Sequence, residues 1–219
     1  MTVDTRQVDG VVVATMDDGK VNVLSGEVID GIRSAVAVAT ESGRPLVIAG
    51  RDGCFSAGFD LAVMRGDRHL ASALFADGAH LYREIIEAPV PIVVSCTGHA
   101  LAGGALLLLS ADYRVGRSGP YRVGLNEVSI GMALPGFAVA MATHRLDRRH
   151  LTAVTMFSEV VDPDRAVDLG FLDVTVDDPL PTACSFAASL AQLPGEAFAV
   201  TKRRIRRALT QELVALDRH

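Results

Sequence analysis

The sequence predicts an α/β protein that finishes in a helical segment. Three observations carry the prediction. Short apolar runs at 11–16, 45–50, 92–96 and 112–116 read as strands. Stretches with helical spacing separate them, an order that builds layers with right-handed crossovers. After about residue 140 the pattern is helical, with Pro163, Pro179, Pro181 and Pro194 as punctuation.

The first strand, 11–16 (Val-Val-Val-Ala-Thr-Met), stops at the turn Asp17-Asp18-Gly19. Ser25 is placed to cap an amphipathic helix over 26–41, which Ser42-Gly43 ends. The run 45–50 (Pro-Leu-Val-Ile-Ala-Gly) is apolar throughout, as in strands covered on both faces. Residues 51–58 read as a loop. Leu70, Leu74, Phe75, Leu81 and Ile85 mark one face of a helix over 69–87, which Ala88-Pro89-Val90-Pro91 breaks. A third strand covers 92–96. Residues 98–104 read as a loop that opens an apolar helix, and a fourth strand covers 112–116. Helices are expected over 148–160, 163–169, 182–193 and 196–216. No internal repeat is visible. The division expected is an α/β core over 1–145 and a helical segment over 146–219.

Bulk properties exclude several classes. The chain of 219 residues carries a net charge of −5 and no Trp, and shows no aromatic-plus-basic stripe, which argues against nucleic-acid binding. Cys54, Cys96 and Cys184 are widely spaced, with no C-x-x-C pair, so a reducing cytoplasm is the expected location. No signal-peptide pattern opens the chain. The longest apolar run, 100–109, is about half of a bilayer span and is interrupted by glycines, so no membrane partner is expected. No histidine cluster or H-E-x-x-H suggests a metal.

Three segments can carry chemistry. Cys54-Phe55-Ser56-Ala57-Gly58-Phe59-Asp60-Leu61 follows a buried strand, where α/β folds place ligands. Its small residues let a ligand approach main-chain N–H groups, or form a tight turn. Ser56 lacks the glycine two residues earlier that a nucleophile elbow needs. Gly98-His99-Ala100-Leu101-Ala102-Gly103-Gly104-Ala105-Leu106 opens a helix, whose first N–H groups lack partners. Its glycines admit a carbonyl oxygen, or permit close helix–strand packing. The spacing is not that of a dinucleotide loop. The third segment, 121–136, holds Glu127 among apolar residues and glycines. Burial there raises the pKa of a carboxylate toward that of a working base, while a salt bridge is the commoner fate of a glutamate.

Together, F-S-A-G-x-D-L, G-H-A-x-x-G-G before an apolar helix, and G-L-N-E-V-x-I-G resemble the crotonase superfamily, the enoyl-CoA hydratase/isomerase family. The resemblance runs from about residue 11 to about residue 207. It implies a spiral of ββα units with a helical C-terminal segment that packs homotrimers or dimers of trimers. It implies an acyl-CoA thioester as ligand, and no cofactor beyond the coenzyme A that the substrate carries. By motif match, the backbone N–H groups of Ala57 and Gly103 hold the thioester oxygen. Such fixed donors lower the barrier by ~3 kcal/mol each.

The same match places Val21, Val23, Phe59, Asp60 and Leu61 along the coenzyme A and substrate pocket, with Gly104 and Leu106 on its helix. Asp60 serves equally as a helix cap. Hydratases of the family use two glutamates around one water. Glu127 matches the second, and Leu106 occupies the place of the first. One carboxylate suffices for a Δ3-Δ2-enoyl-CoA isomerase, which moves a proton from C2 to C4. The resemblance therefore implies isomerisation first, hydration through a substitute acid second, and acyl-CoA binding without catalysis third. The basic run Lys202-Arg203-Arg204-Ile205-Arg206-Arg207 reads as a phosphate contact, or as a solvated face or ion-pairing surface.

Overall fold

The apolar runs become the middle of a six-stranded sheet in the computed structural model, which describes residues 2–216. The strands are β1 (Val3–Val8), β2 (Val11–Met16), β3 (Val23–Leu24), β4 (Leu46–Ala49), β5 (Gly53–Ser56) and β6 (Gly58–Phe59). They continue as β7 (Ile92–Cys96), β8 (Gly98–Leu101), β9 (Tyr113–Arg117), β10 (Val123–Gly124) and β11 (Val174–Val176). The helices are α1 (Gly26–Ser42), α2 (Leu61–Met64), α3 (Arg68–Glu87), α4 (Gly103–Ser110) and α5 (Gly136–Arg145). The C-terminal helices are α6 (Leu151–Thr155), α7 (Pro163–Leu169), α8 (Pro179–Leu190) and α9 (Gly195–Leu216).

The large sheet runs β1-β2-β4-β7-β9-β11, antiparallel between β1 and β2 and parallel elsewhere. From β4 on, one pattern repeats. A strand joins the large sheet, a short strand joins a parallel three-stranded sheet in the order β10-β8-β5, and a helix follows. The units are β4-β5-α3, β7-β8-α4 and β9-β10-α5, with β6 and α2 placed before α3. This is the spiral of ββα units that the resemblance implies, and it corrects the reading of 51–58 and 98–104 as loops. Those segments hold β5, β6 and β8. Their strands are short and rich in glycine, so no apolar alternation marks them.

The large sheet is covered on both faces. Val12, Ala14, Leu46, Ile48, Ile92 and Val94 point into the main core, while Val11, Val13, Val47 and Val93 meet Ala183 and Ala187 of α8. That two-sided burial is why β4 and β7 contain only apolar or small residues. β1 lies at the edge with only Val3 buried, which explains its unreadable sequence. The segment 146–219 is not wholly helical, because β11 completes the opposite edge.

The expected caps are present. Ser25 accepts a hydrogen bond from Val28 N–H, and Gly43 ends α1 in the left-handed region at φ 64°. The expected helix over 148–160 is corrected to one 3₁₀ turn and the five-residue α6. Ser158, at φ 52°, cannot continue a helix, and Val161 instead pairs with Val123. The helix expected over 182–193 begins earlier, at Pro179, because proline is acceptable in a first helical turn.

Part of the basic run has an internal task. Lys202 is 5% exposed, and its ammonium donates to Asp112 Oδ2 at 2.6 Å and to the carbonyls of Val90 and Ile85. Asp112 also accepts from Ile92 N–H at 2.9 Å, and Arg206 reaches its other oxygen at 3.5 Å. α9 is thereby fixed to the base of α3 and β7. Replacing Asp112 with alanine leaves a buried ammonium without a counter-charge. The expected cost is about 3 kcal/mol, read from the urea midpoint.

Candidate active site

One apolar cavity of about 240 Å³ lies between the loop after β5, the start of α4 and the segment after β10. Phe59, Leu61, Met64, Phe75, Leu106 and Ile130 form most of its wall. Glu127 is the only titratable side chain that lines it among the described residues. The expected substrate residues Phe59, Leu61 and Leu106, and the expected catalytic Glu127, therefore converge.

Gly58 sets the geometry of the first loop. Its φ is +88°, and a Cβ there would lie 2.8 Å from Gly103 N and 2.9 Å from Ala102 Cβ. A bare, left-handed residue is thus required for this loop to rest against the start of α4. The Ala57 assignment as an oxygen-binding donor is corrected, because Ala57 N–H is already bonded to Val21 O at 3.0 Å. Gly58 N–H is bonded to Ser56 Oγ at 3.1 Å. The next amide, that of Phe59, follows the left-handed turn.

Ala102 precedes α4 in an unusual conformation, φ 50° and ψ −124°. It turns the chain so that Gly103 begins the helix. The first helical bond is Leu106 N–H to Ala102 O at 3.1 Å, so the amides of Gly103, Gly104 and Ala105 stand ahead of it. Gly103 is buried, and its N–H precedes the first helical bond of α4. Gly104 does not face the cavity. A Cβ there would meet Ser56 O at 2.4 Å, so its expected role as a substrate contact is corrected to close packing of α4 on β5.

Glu127 stands just before a turn of 3₁₀ helix at Val128–Ile130 and is 7% exposed. Its Oε2 is buried with no hydrogen-bond partner. Burial pushes its pKa up to about 7, partly offset by its own backbone N–H. No cation faces it to make the salt bridge that a surface glutamate makes, among the residues lining the cavity. Leu106, across the cavity, is 1% exposed and offers only methyl groups.

The remaining expected residues lie elsewhere. Asp60 caps α2 by accepting from Ala62 N–H at 2.8 Å, so of its two readings the structure shows the cap. Val21 precedes β3 and Val23 begins it, and neither lines the cavity. The Val21 carbonyl takes the Ala57 amide, and Val23 N–H donates to Asp18. Ser56 is wholly buried and donates to Asn22 O at 2.7 Å, a structural task. His99 belongs to β8, where its Nδ1 accepts from Arg122 N–H at 3.1 Å.

Two residues escaped the sequence reading. Asn126 lines the cavity beside Glu127, with its Oδ1 buried and unpaired. Tyr82 on α3 is completely buried and donates to Gly103 O at 2.8 Å. Its only sequence signal is a hydroxyl-bearing ring on the apolar face shared with Leu81, Ile85 and Ile86. Among the described residues, no group of three or more His, Cys, Asp or Glu is placed to hold a metal ion. No helix there is long and apolar enough to cross a membrane.

A spiral of ββα units, with a lone buried carboxylate in one cavity with Ala102 and Leu106 at the start of α4, defines a crotonase-type site. A family model described as enoyl-CoA hydratase/isomerase matches residues 6–217, and the chain belongs to that family. Human mitochondrial enoyl-CoA delta isomerase 1 is 29% identical over 197 residues, covering 88% of this chain and 63% of that protein. The chain thus spans less than two thirds of that relative's length. A crystal structure of an enoyl-CoA hydratase/isomerase family protein from Pseudomonas syringae superposes with a TM-score of 0.96 at 37% identity, covering 99% of this chain and 95% of that one. An enoyl-CoA hydratase from Mycobacterium marinum gives a TM-score of 0.93 at 33% identity, covering 99% and 96%. Proteins described as isomerases and as hydratases are therefore both similar to this chain.

Proposed function

We propose that the protein is a Δ3-Δ2-enoyl-CoA isomerase in which Glu127 is both base and acid. The observation that carries this reading is the pairing of one buried carboxylate with Leu106 in an apolar cavity. Glu127 takes a proton from C2 of a 3-enoyl thioester. The double bond moves, and negative charge grows on the thioester oxygen. Gly103 N–H stabilises that oxygen, with the Phe59 N–H as second donor in place of the Ala57 amide. Protonated Glu127 then returns the proton at C4. Leu106 cannot orient or activate water, which disfavours addition across the double bond.

The protein's partner is an acyl-CoA thioester, and coenzyme A enters only as part of the substrate. The working assembly on this reading is a homotrimer or a dimer of trimers. Exposed apolar residues on the turn after α6, Met156 and Phe157, supply surface for it.

The test is incubation with a 3-enoyl-CoA and, separately, a 2-enoyl-CoA. The first is expected to give 2-enoyl-CoA. The base must be ionised to act, so kcat/KM is expected to rise with pH through about 7 and then level off. Conversion of 2-enoyl-CoA to 3-hydroxyacyl-CoA as the main activity would make the protein a hydratase. Acyl-CoA binding without turnover would make it a binding protein.

A further inference from the structure

The residue that supplies the oxygen-binding amide, Gly103, is held through its own carbonyl, one peptide further on, by a side chain outside the cavity wall. Tyr82 lies in the C-terminal half of α3 with its ring edge-on to Phe59, at 6.4 Å between centroids, and tilted against Phe137 at 6.0 Å. Phenylalanine would fill this space equally well. A buried hydroxyl is costly unless it is bonded, so the one bond it makes is informative. That bond goes to Gly103 O, at 2.8 Å. The Gly103 carbonyl lies in the first turn of α4, one residue after the Ala102 carbonyl that starts the ladder, and the phenol takes a lone pair of that oxygen.

On the other side of Gly103 sits Ala102, at φ 50° and ψ −124°. Such a conformation persists only where the surroundings over-determine it. Without a side chain of its own, Gly103 has no rotamer to lock it. A Cβ there would come within 3.0 Å of the Phe59 ring and 3.1 Å of the Tyr82 hydroxyl, so the two rings close over its backbone.

We propose that Tyr82 is a positioning residue for the reaction. Its hydroxyl pins the Gly103 carbonyl and so keeps Gly103 N–H aimed at the thioester oxygen as negative charge develops there. Tyr82 is not the proton carrier. Burial, reinforced by the negative charge of Glu127, holds its pKa well above 10, so the phenol stays a donor throughout the working pH range. The proposal rests on the reading of this cavity as an acyl-CoA site.

The test uses Tyr82→Phe in the full chain, with two probes. Hexanoyl-CoA reports ground-state binding. Acetoacetyl-CoA, a 3-ketoacyl thioester, reports enolate stabilisation through the near-ultraviolet band of its bound enolate. Tyr82→Phe is expected to weaken the enolate band and kcat about tenfold, with KM and hexanoyl-CoA affinity within about twofold. Replacing Tyr82 with 4-aminophenylalanine, which keeps a donor at the same place, is expected to restore most of the loss. Should Tyr82→Phe fold poorly, this second variant carries the test alone, by keeping the enolate band within about threefold of the parent. An unchanged enolate band in Tyr82→Phe would overturn the proposal. So would a parallel loss of hexanoyl-CoA affinity, or no rescue by the amino variant. Failure of the parent protein to bind either thioester would overturn the reading of the cavity, and the proposal with it.

Discussion

Glu127→Gln is expected to lower turnover of a 3-enoyl-CoA about a thousandfold while leaving acyl-CoA affinity within about threefold. Glutamine keeps the volume and the polar atoms of the side chain but cannot take a proton. The loss therefore falls on kcat, because the amides that hold the thioester oxygen are unchanged. A control comes from stability. The Glu127 carboxyl has its pKa raised from 4.5 to about 7 in the folded protein. Below 4.5 it is protonated in both states and has no pH-dependent effect. Between 4.5 and about 7 the unfolded chain releases the proton and the folded one keeps it, so stability falls as pH rises. Above about 7 the penalty is complete, at roughly 3 kcal/mol. Glu127→Gln removes it. The variant is expected to be less active and more stable than the parent at pH 8, and to lose that stability advantage below pH ~4.5. Paired urea titrations at the two pH values measure this.

Gly104→Ala is expected to harm stability and catalysis together. The added Cβ would lie 2.4 Å from Ser56 O and 2.8 Å from Ser56 Cβ. Neither neighbour can swing away, since one is backbone and the other is tied to Asn22 through its hydroxyl. α4 must move off β5, and Gly103 moves with it. Overpacking of this kind costs about 3 kcal/mol. Displacing the Gly103 amide by a fraction of an ångström to an ångström lowers kcat up to about a hundredfold. Urea unfolding and steady-state kinetics on one preparation check both effects. A variant as stable and active as the parent would mean that α4 is not seated on Ser56 as described.

The parts of the fold that sequence reveals are those buried on two sides. β4 and β7 carry only apolar or small residues because a helix layer covers each face of their sheet. The spiral's repeat is invisible to the same reading. Each unit's second strand, β5, β8 or β10, is two to four residues long and includes glycine, so it looks like a loop. β1 is an edge strand with a polar pattern, and pairing with β2 alone defines it.

The site divides similarly. Glu127, Leu106 and Phe59 were legible because the motif fixes which residue types reach the cavity. Ala57 was misassigned because a motif gives residue order, whereas the direction of an N–H depends on backbone angles, here the +88° φ of Gly58. Gly104 and Asp60 were legible as conserving space or capping a turn, and those alternatives are the ones the structure shows. Tyr82 was illegible because a tyrosine on an apolar helix face reads as core. Its partner is a carbonyl 21 residues further along the chain.

The central claim is that one carboxylate moves one proton in a cavity that gives water no role. The most direct measurement is the mass spectrum of the product formed from a 2,2-dideuterated 3-enoyl-CoA in water enriched in oxygen-18. The expected product is a 2-enoyl-CoA that retains transferred deuterium at C4 and contains no oxygen-18. Complete loss of the transferred label to solvent, or a 3-hydroxyacyl-CoA carrying oxygen-18, would contradict it.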